Sequence, residues 1–137
     1  MSALIGNDVG ATAHSGIITS IDPKNYKVKV LLSILQIETD WIRVISPYVG
    51  QGWGIVALPH VGNEALVIFL NGELNDGVVI GCLYSENVDH PPESAQHPAI
   101  VHETGSRIVL NHDGSIIIEA KTGLYLRGAQ VHLNDDR

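Results

Sequence analysis

Residues 105–134 read GSRIVLNHDGSIIIEAKTGLYLRGAQVHLN, and their apolar residues recur in alternating pairs: Ile108 and Leu110, Ile116 and Ile118, Leu124 and Leu126, Val131 and Leu133. The pairs step by eight, eight and seven residues, with Gly or Asn and Asp residues between them. Each has the period of a short strand with one buried face. A row of such strands carries too few side chains to enclose an interior, so another chain must complete the ladder and the core. This reads as a β-helix or β-prism segment, with the eight residues pointing inward and driving self-association.

Upstream the pattern changes. From Ala13 the chain gives HSGIITSI, the turn DPKN, and YKVKVLLS, where Val28, Val30 and Leu32 alternate with Lys27, Lys29 and Leu31. ETDWIRVIS comes next and stops at Pro47; then come a Gly-rich stretch, the strand GIVAL, the turn PHVGN, EALVIFL, the turn NGELNDG and VVIGCLY. Five or six strands with short turns suggest a Greek-key barrel of the oligonucleotide/oligosaccharide-binding (OB) type. The expected plan is all-β: an arm at 1–12, a barrel at 13–84, a Pro-rich linker at 85–98 and a β-helix stalk with its tip at 99–137.

Composition narrows the functions. The formal charge of -7 on 137 residues repels phosphate backbones, so nucleic acid is not an expected partner. The single cysteine, Cys82, lies in an apolar run and reads as an inert core thiol; with no disulfide framework, synthesis in a reducing cytoplasm is expected. No secretory leader is visible at the start, and no apolar run approaches the length of a membrane span. G-x-S-x-G, H-E-x-x-H and phosphate-binding glycine loops are all missing from the sequence, which argues against an enzyme.

Four linked blocks carry a resemblance: W-I-R-V-x-x-P-Y-x-G at Trp41–Gly50, G-W-G-x-x-x-L-P-x-V-G-x-E at Gly52–Glu64, F-L-N-G-x-x-N-D-G-V-V-I-G at Phe69–Gly81, and Leu83-Tyr84 before a Pro-Pro loop. This stretch resembles the barrel domain of phage baseplate assembly protein V and of the VgrG spike proteins of type VI secretion. The motif positions are Trp41, Arg43, Pro47, Tyr48, Gly52, Gly54, Pro59, Gly62, Glu64, Gly72 and Gly81. The resemblance implies a homotrimer with an intertwined triple-stranded β-helix, acting as the membrane-puncturing central spike of a contractile phage tail or tail-like injection machine. The chain has room for neither a hub region nor a lysozyme domain, which implies docking on a separate baseplate hub protein and transient contact with a target outer membrane. Many phage relatives end in a metal-binding His-x-His; this chain has only His132 there, which points instead to a separate PAAR-type tip protein.

The remaining candidates are histidines and aromatics. No cofactor is expected. Three copies of His132 or His112 around a threefold axis could hold a metal ion, but strand parity turns His132 away from the inward pairs. His14, His60, His90, His97 and His102 fall in or beside turns or the linker and read as solvated. Trp41, Tyr48 and Trp53 could stack bases in a single-strand nucleic-acid or glycan-binding barrel, the competing reading; core or subunit packing is the expectation adopted here.

Overall fold

The computed structural model of the chain describes residues 13–86, 88–92, 96–134 and 136, so the arm at 1–12 lies outside the described residues. The chain divides into two compact units, Met1–Val88 and Asp89–Arg137.

The first unit holds β1 (Ala13–Asp22), β2 (Lys27–Leu32), β3 (Ile37–Glu38), β4 (Ile42–Val44), β5 (Val49–Gly50), β6 (Trp53–Gly54), β7 (Glu64–Phe69) and β8 (Gly77–Leu83). Its main sheet runs β1-β7-β8-β4-β2-β3, and β1 pairs with β2 as well. That extra pairing closes a five-stranded barrel, antiparallel except where β4 runs parallel to β8. The topology is that of an OB barrel. Closure requires close backbone approach at Gly16, where an added Cβ would lie 2.5 Å from the Leu31 carbonyl oxygen.

The core follows from the alternation. Ile18, Val28, Val30, Leu32, Ile42, Ala65, Val67, Phe69 and Val79 are buried together, while Lys27 and Lys29 point outward. Thr39 secures the end of β2: its N–H donates to the Val30 carbonyl (2.8 Å), and its hydroxyl oxygen accepts from the Val30 N–H (3.0 Å). Bulges between Ile18 and Ser20 in β1, and between Leu66 and Val67 in β7, supply the bending that a small barrel needs.

Three expectations for the barrel are corrected. GIVAL forms no strand beyond Gly54, whose φ of 148° redirects the chain. His14 is not solvated: it is a buried member of β1, edge-on to the Phe69 ring at 5.8 Å. Cys82 is exposed rather than in the core, because β8 runs past the buried set and its last three residues are all open. Cys82 lines a shallow recess with Asn63, Leu83, Tyr84 and Val88, where partial burial pushes its thiol pKa up and disfavours the reactive thiolate.

The second unit is an antiparallel three-stranded sheet of β9 (Ala99–Val101), β10 (Arg107–Leu110) and β11 (Ile116–Glu119), with β10 central. Its two turns repeat one device. In His102–Ser106 and Asn111–Ser115 the Gly N–H donates to the first residue's carbonyl, at 2.8 and 3.1 Å, and the first N–H donates to the Ser carbonyl at 2.9 Å in both. Gly105 and Gly114 have φ of 94° and 93°, a conformation that hairpins of this length favour and glycine adopts without strain.

Leu124, Leu126, Val131 and Leu133 are expected on strands of a stalk that other copies complete; within one copy, the described residues after Glu119 form no further strand. Leu126 is 62% exposed and Leu133 81%, and Leu124 and Val131 are exposed as well. The physical reason is that a strand needs a neighbour to take its N–H and C=O groups, and among the described residues no strand pairs with the outer edge of β11, so no ladder extends to these pairs.

Candidate functional site

The C-terminal sheet has two unlike faces. Register places Ile108 between Ile100 and Ile118, and Leu110 opposite Ile116, so one face is entirely apolar. The other face carries Val109, which is buried, and the Arg107–Glu119 ion pair at 3.7 Å. On the apolar face Ile100 is 75% exposed, Ile116 61% and Ile118 56%. None of the eight expected interior residues is enclosed by its own chain: Ile108, Leu110, Ile116 and Ile118 share the open sheet face, while Leu124, Leu126, Val131 and Leu133 lie beyond the sheet. Five aliphatic side chains on one open-edged sheet form a patch of the kind that marks an association surface.

A second apolar surface belongs to the barrel unit. The motif residue Tyr48 precedes β5 and Trp53 opens β6 of the hairpin, with ring centroids 5.0 Å apart and both side chains exposed. The Ser46 hydroxyl donates to the Ile55 carbonyl (2.6 Å), and the Ile55 N–H donates to the Tyr48 carbonyl (3.0 Å), which staples the hairpin base. The Trp53 ring lies where a Cβ at position 50 would be, so glycine there lets the ring sit against the backbone. The aromatics are therefore not core residues, although the sequence allowed that.

The other motif positions serve this scaffold or its outer face. Trp41 and Arg43 project outward from the β4 segment, and Lys29 Nζ lies 5.1 Å from the centre of a Trp41 ring. Pro47 leads into the hairpin, Pro59 lies in the unladdered run after it, and Glu64 opens β7 between Ile17 and Leu83. Gly52, Gly62 and Gly72 have φ of 79°, 94° and 70° in their turns, and Gly81 lies on β8 opposite Leu66.

The histidines do not converge on a metal-binding group among the described residues. The His112 N–H donates to His97 Nδ1 (3.0 Å), with the two rings 4.9 Å apart. That bond uses the backbone of His112 and the ring of His97, so it leaves the His112 imidazole out of the contact. His132 Nε2 instead meets Gln130 Oε1 at 3.0 Å. Beside His112, Asp113 Oδ1 accepts from the Ser115 hydroxyl and N–H, and these bonds hold its carboxyl below the usual range.

Comparison with known proteins agrees with the barrel. Residues 14–84 match the family described as the type VI secretion system/phage-baseplate injector OB domain. Among individual proteins, the chain is 52% identical over 48 residues to the type VI secretion system spike protein VgrG5 of Pseudomonas aeruginosa, 34% of this chain and 6% of that protein. It is 43% identical over 51 residues to VgrG4b of the same organism, 37% of this chain and 6% of that protein. It is 33% identical over 64 residues to VgrG3 of Vibrio cholerae, 47% of this chain and 6% of that protein. The matched stretches are thus a small part of these long spike proteins. A closed OB barrel carrying the linked motif blocks, matched over half the chain, shows that the chain belongs to the type VI secretion system/phage-baseplate injector OB-domain family.

Proposed function

We propose that this protein is the non-enzymatic central spike of a contractile tail baseplate or tail-like injection machine, acting as a homotrimer that punctures a target outer membrane. Family membership supports a component of such a spike. The observation that carries the finer reading is the exposed face of Ile100, Ile108, Leu110, Ile116 and Ile118 beside the open edge of β11. Copies of this sheet wound about a common axis would bury that face and pair that edge. The unladdered Leu124, Leu126, Val131 and Leu133 would then extend the same interior as a triple-stranded β-helix. Burying each such side chain contributes about 1.5–3 kcal/mol, and threefold repetition multiplies the gain. Interchain ladders would make opening require the simultaneous loss of many bonds, which suits a rigid penetrating tip.

In this reading the barrel docks on a separate hub protein, and a PAAR-type protein caps the end. A metal ion and nucleic acid have no part in it. Sedimentation equilibrium tests the assembly: the expected mass is three times the 14.8 kDa of one chain. A single-chain mass at micromolar concentration, with oligonucleotide binding at moderate salt, would instead favour the nucleic-acid barrel.

A further inference from the structure

The outer face of β2 and β4 gathers cations that the barrel itself does not use. Lys27 stands directly opposite Arg43, and the next outward-facing residues along the two strands, Lys29 and Trp41, meet through the cation–ring contact at 5.1 Å. Like charges placed opposite one another across a strand pair destabilise the sheet that holds them. Neither Lys27 nor Arg43 forms an ion pair with a carboxylate among the described residues. Asp22, the partner of Lys27 on β1, is held first by Asn25, which donates to it from its side chain (2.8 Å) and its N–H (3.3 Å); the charge of Lys27 acts on it only as the last and smallest influence, without a close ion pair. A local conflict of this kind, on an otherwise regular barrel, marks a surface kept for something outside the fold.

We infer that this face is a docking surface for an acidic polypeptide segment of a partner protein. Arg43 offers a planar fork for a carboxylate, Lys27 a second charge beside it, and Trp41, fixed under Lys29, an apolar floor for the stem of an acidic side chain. The patch is small and bounded by acids. Asp22 borders it on β1, Asp40 precedes Trp41 and accepts its N–H (2.8 Å), and Glu38 stands on β3. A nucleic acid carries a phosphate at every nucleotide and would lay its neighbouring phosphates against these carboxylates, whereas a peptide can place one or two acids and continue uncharged. The inference concerns the barrel surface alone and stands apart from the trimer reading.

Nuclear magnetic resonance of the full chain tests it through the indole N–H signals of Trp41 and Trp53, assigned with Trp41→Phe. The probes are a short peptide of alternating Glu and Thr, its Gln–Thr counterpart, and a short oligothymidylate. The Glu peptide should shift the Trp41 signal and leave Trp53 in place, weakening as salt rises, and the Lys27→Gln/Arg43→Gln double variant should bind it at least about tenfold more weakly. That variant should also melt no lower than the parent, since it relieves a repulsion, and should sediment unchanged. No response of Trp41, an equal response to the Gln peptide, a stronger response to oligothymidylate, or a clear loss of stability in the double variant would overturn the inference.

Discussion

The barrel and the C-terminal sheet are built from similar alternating strands, yet they solve the burial problem differently. In the barrel, nine apolar residues from five strands converge on one interior and each is nearly or wholly inaccessible. In the C-terminal sheet Val109 is the one residue buried to that degree, while Ile100, Ile108, Ile116 and Ile118 lie exposed on the other face. The difference lies in closure. Five strands can bend round until the last meets the first, but three short ones cannot, so their apolar face and free edge remain open. One unit has its core within the chain, and the other, on the proposed reading, is completed by other copies of itself.

The strongest way to break this contrast is Ile118→Asp. If the sheet stood alone, the change would fall on an exposed site and alter stability by no more than about 0.5 kcal/mol. In the proposed trimer it sets three carboxylates in a dry interior, so sedimentation should show assembly abolished while the barrel stays folded. An undisturbed trimer would show that Ile118 does not face the interior.

Phe69→Ala should do the opposite. It removes a ring buried against His14 and the strand cores and should cost the barrel about 3–5 kcal/mol in denaturant unfolding, with the C-terminal association retained. A loss of both together would mean that the units are not independent.

Truncation after Val88 sharpens the same point. The shortened chain should keep dispersed amide signals and sediment as a single copy, since its core residues all precede the cut. Collapse of the dispersion would show that the barrel depends on the C-terminal unit.

Gly50→Ala is a smaller change, local to the hairpin. The new methyl displaces the exposed Trp53 ring, which should cost no more than about 0.5 kcal/mol at such a surface site; near-ultraviolet circular dichroism should lose the Tyr48–Trp53 signal, with the barrel otherwise intact.

The smallest effect concerns pH. Asp113 is held below its ordinary value of 3.8, first by the Ser115 hydroxyl and then by the Ser115 N–H. A carboxyl with a lowered folded value contributes stability that is present above 3.8 and is lost as pH falls through the folded value. Being exposed, it contributes little, so Asp113→Asn should only flatten the acid limb of the melting curve slightly.

Much of this was legible in the chain. The alternation of Val28, Val30 and Leu32 with lysines, and the apolar runs of β7 and β8, mark barrel strands because period two with one buried face has few other readings. The motif blocks then identify the family. HETGS and NHDGS, with their glycines nine residues apart, also announce the two C-terminal turns, a signal that attention to the apolar pairs alone passes over. At Leu126 and Leu133 the alternation is that of a strand, but the ladder such a strand needs is not supplied by the described residues of one copy. Other features had no local signature. The β5–β6 hairpin lies in a Gly-rich stretch without period, and the exposure of Cys82 depends on where β8 leaves the core. The burial of His14 depends on Phe69, which is far off in sequence. Lys27 and Arg43 become neighbours only through strand register, so their repulsion is invisible in the sequence.

Amide hydrogen exchange on the intact chain tests the central claim most directly. Within one copy, alternate N–H groups of β11 point away from β10 and would exchange rapidly. If other copies complete the sheet, every amide of Ile116–Glu119 should be protected to the level of β1 and β7, and in Ile118→Asp that protection should vanish while the barrel keeps its own. Rapid exchange at the outward amides of β11 in the unmutated chain, at concentrations where it should be trimeric, would contradict the account.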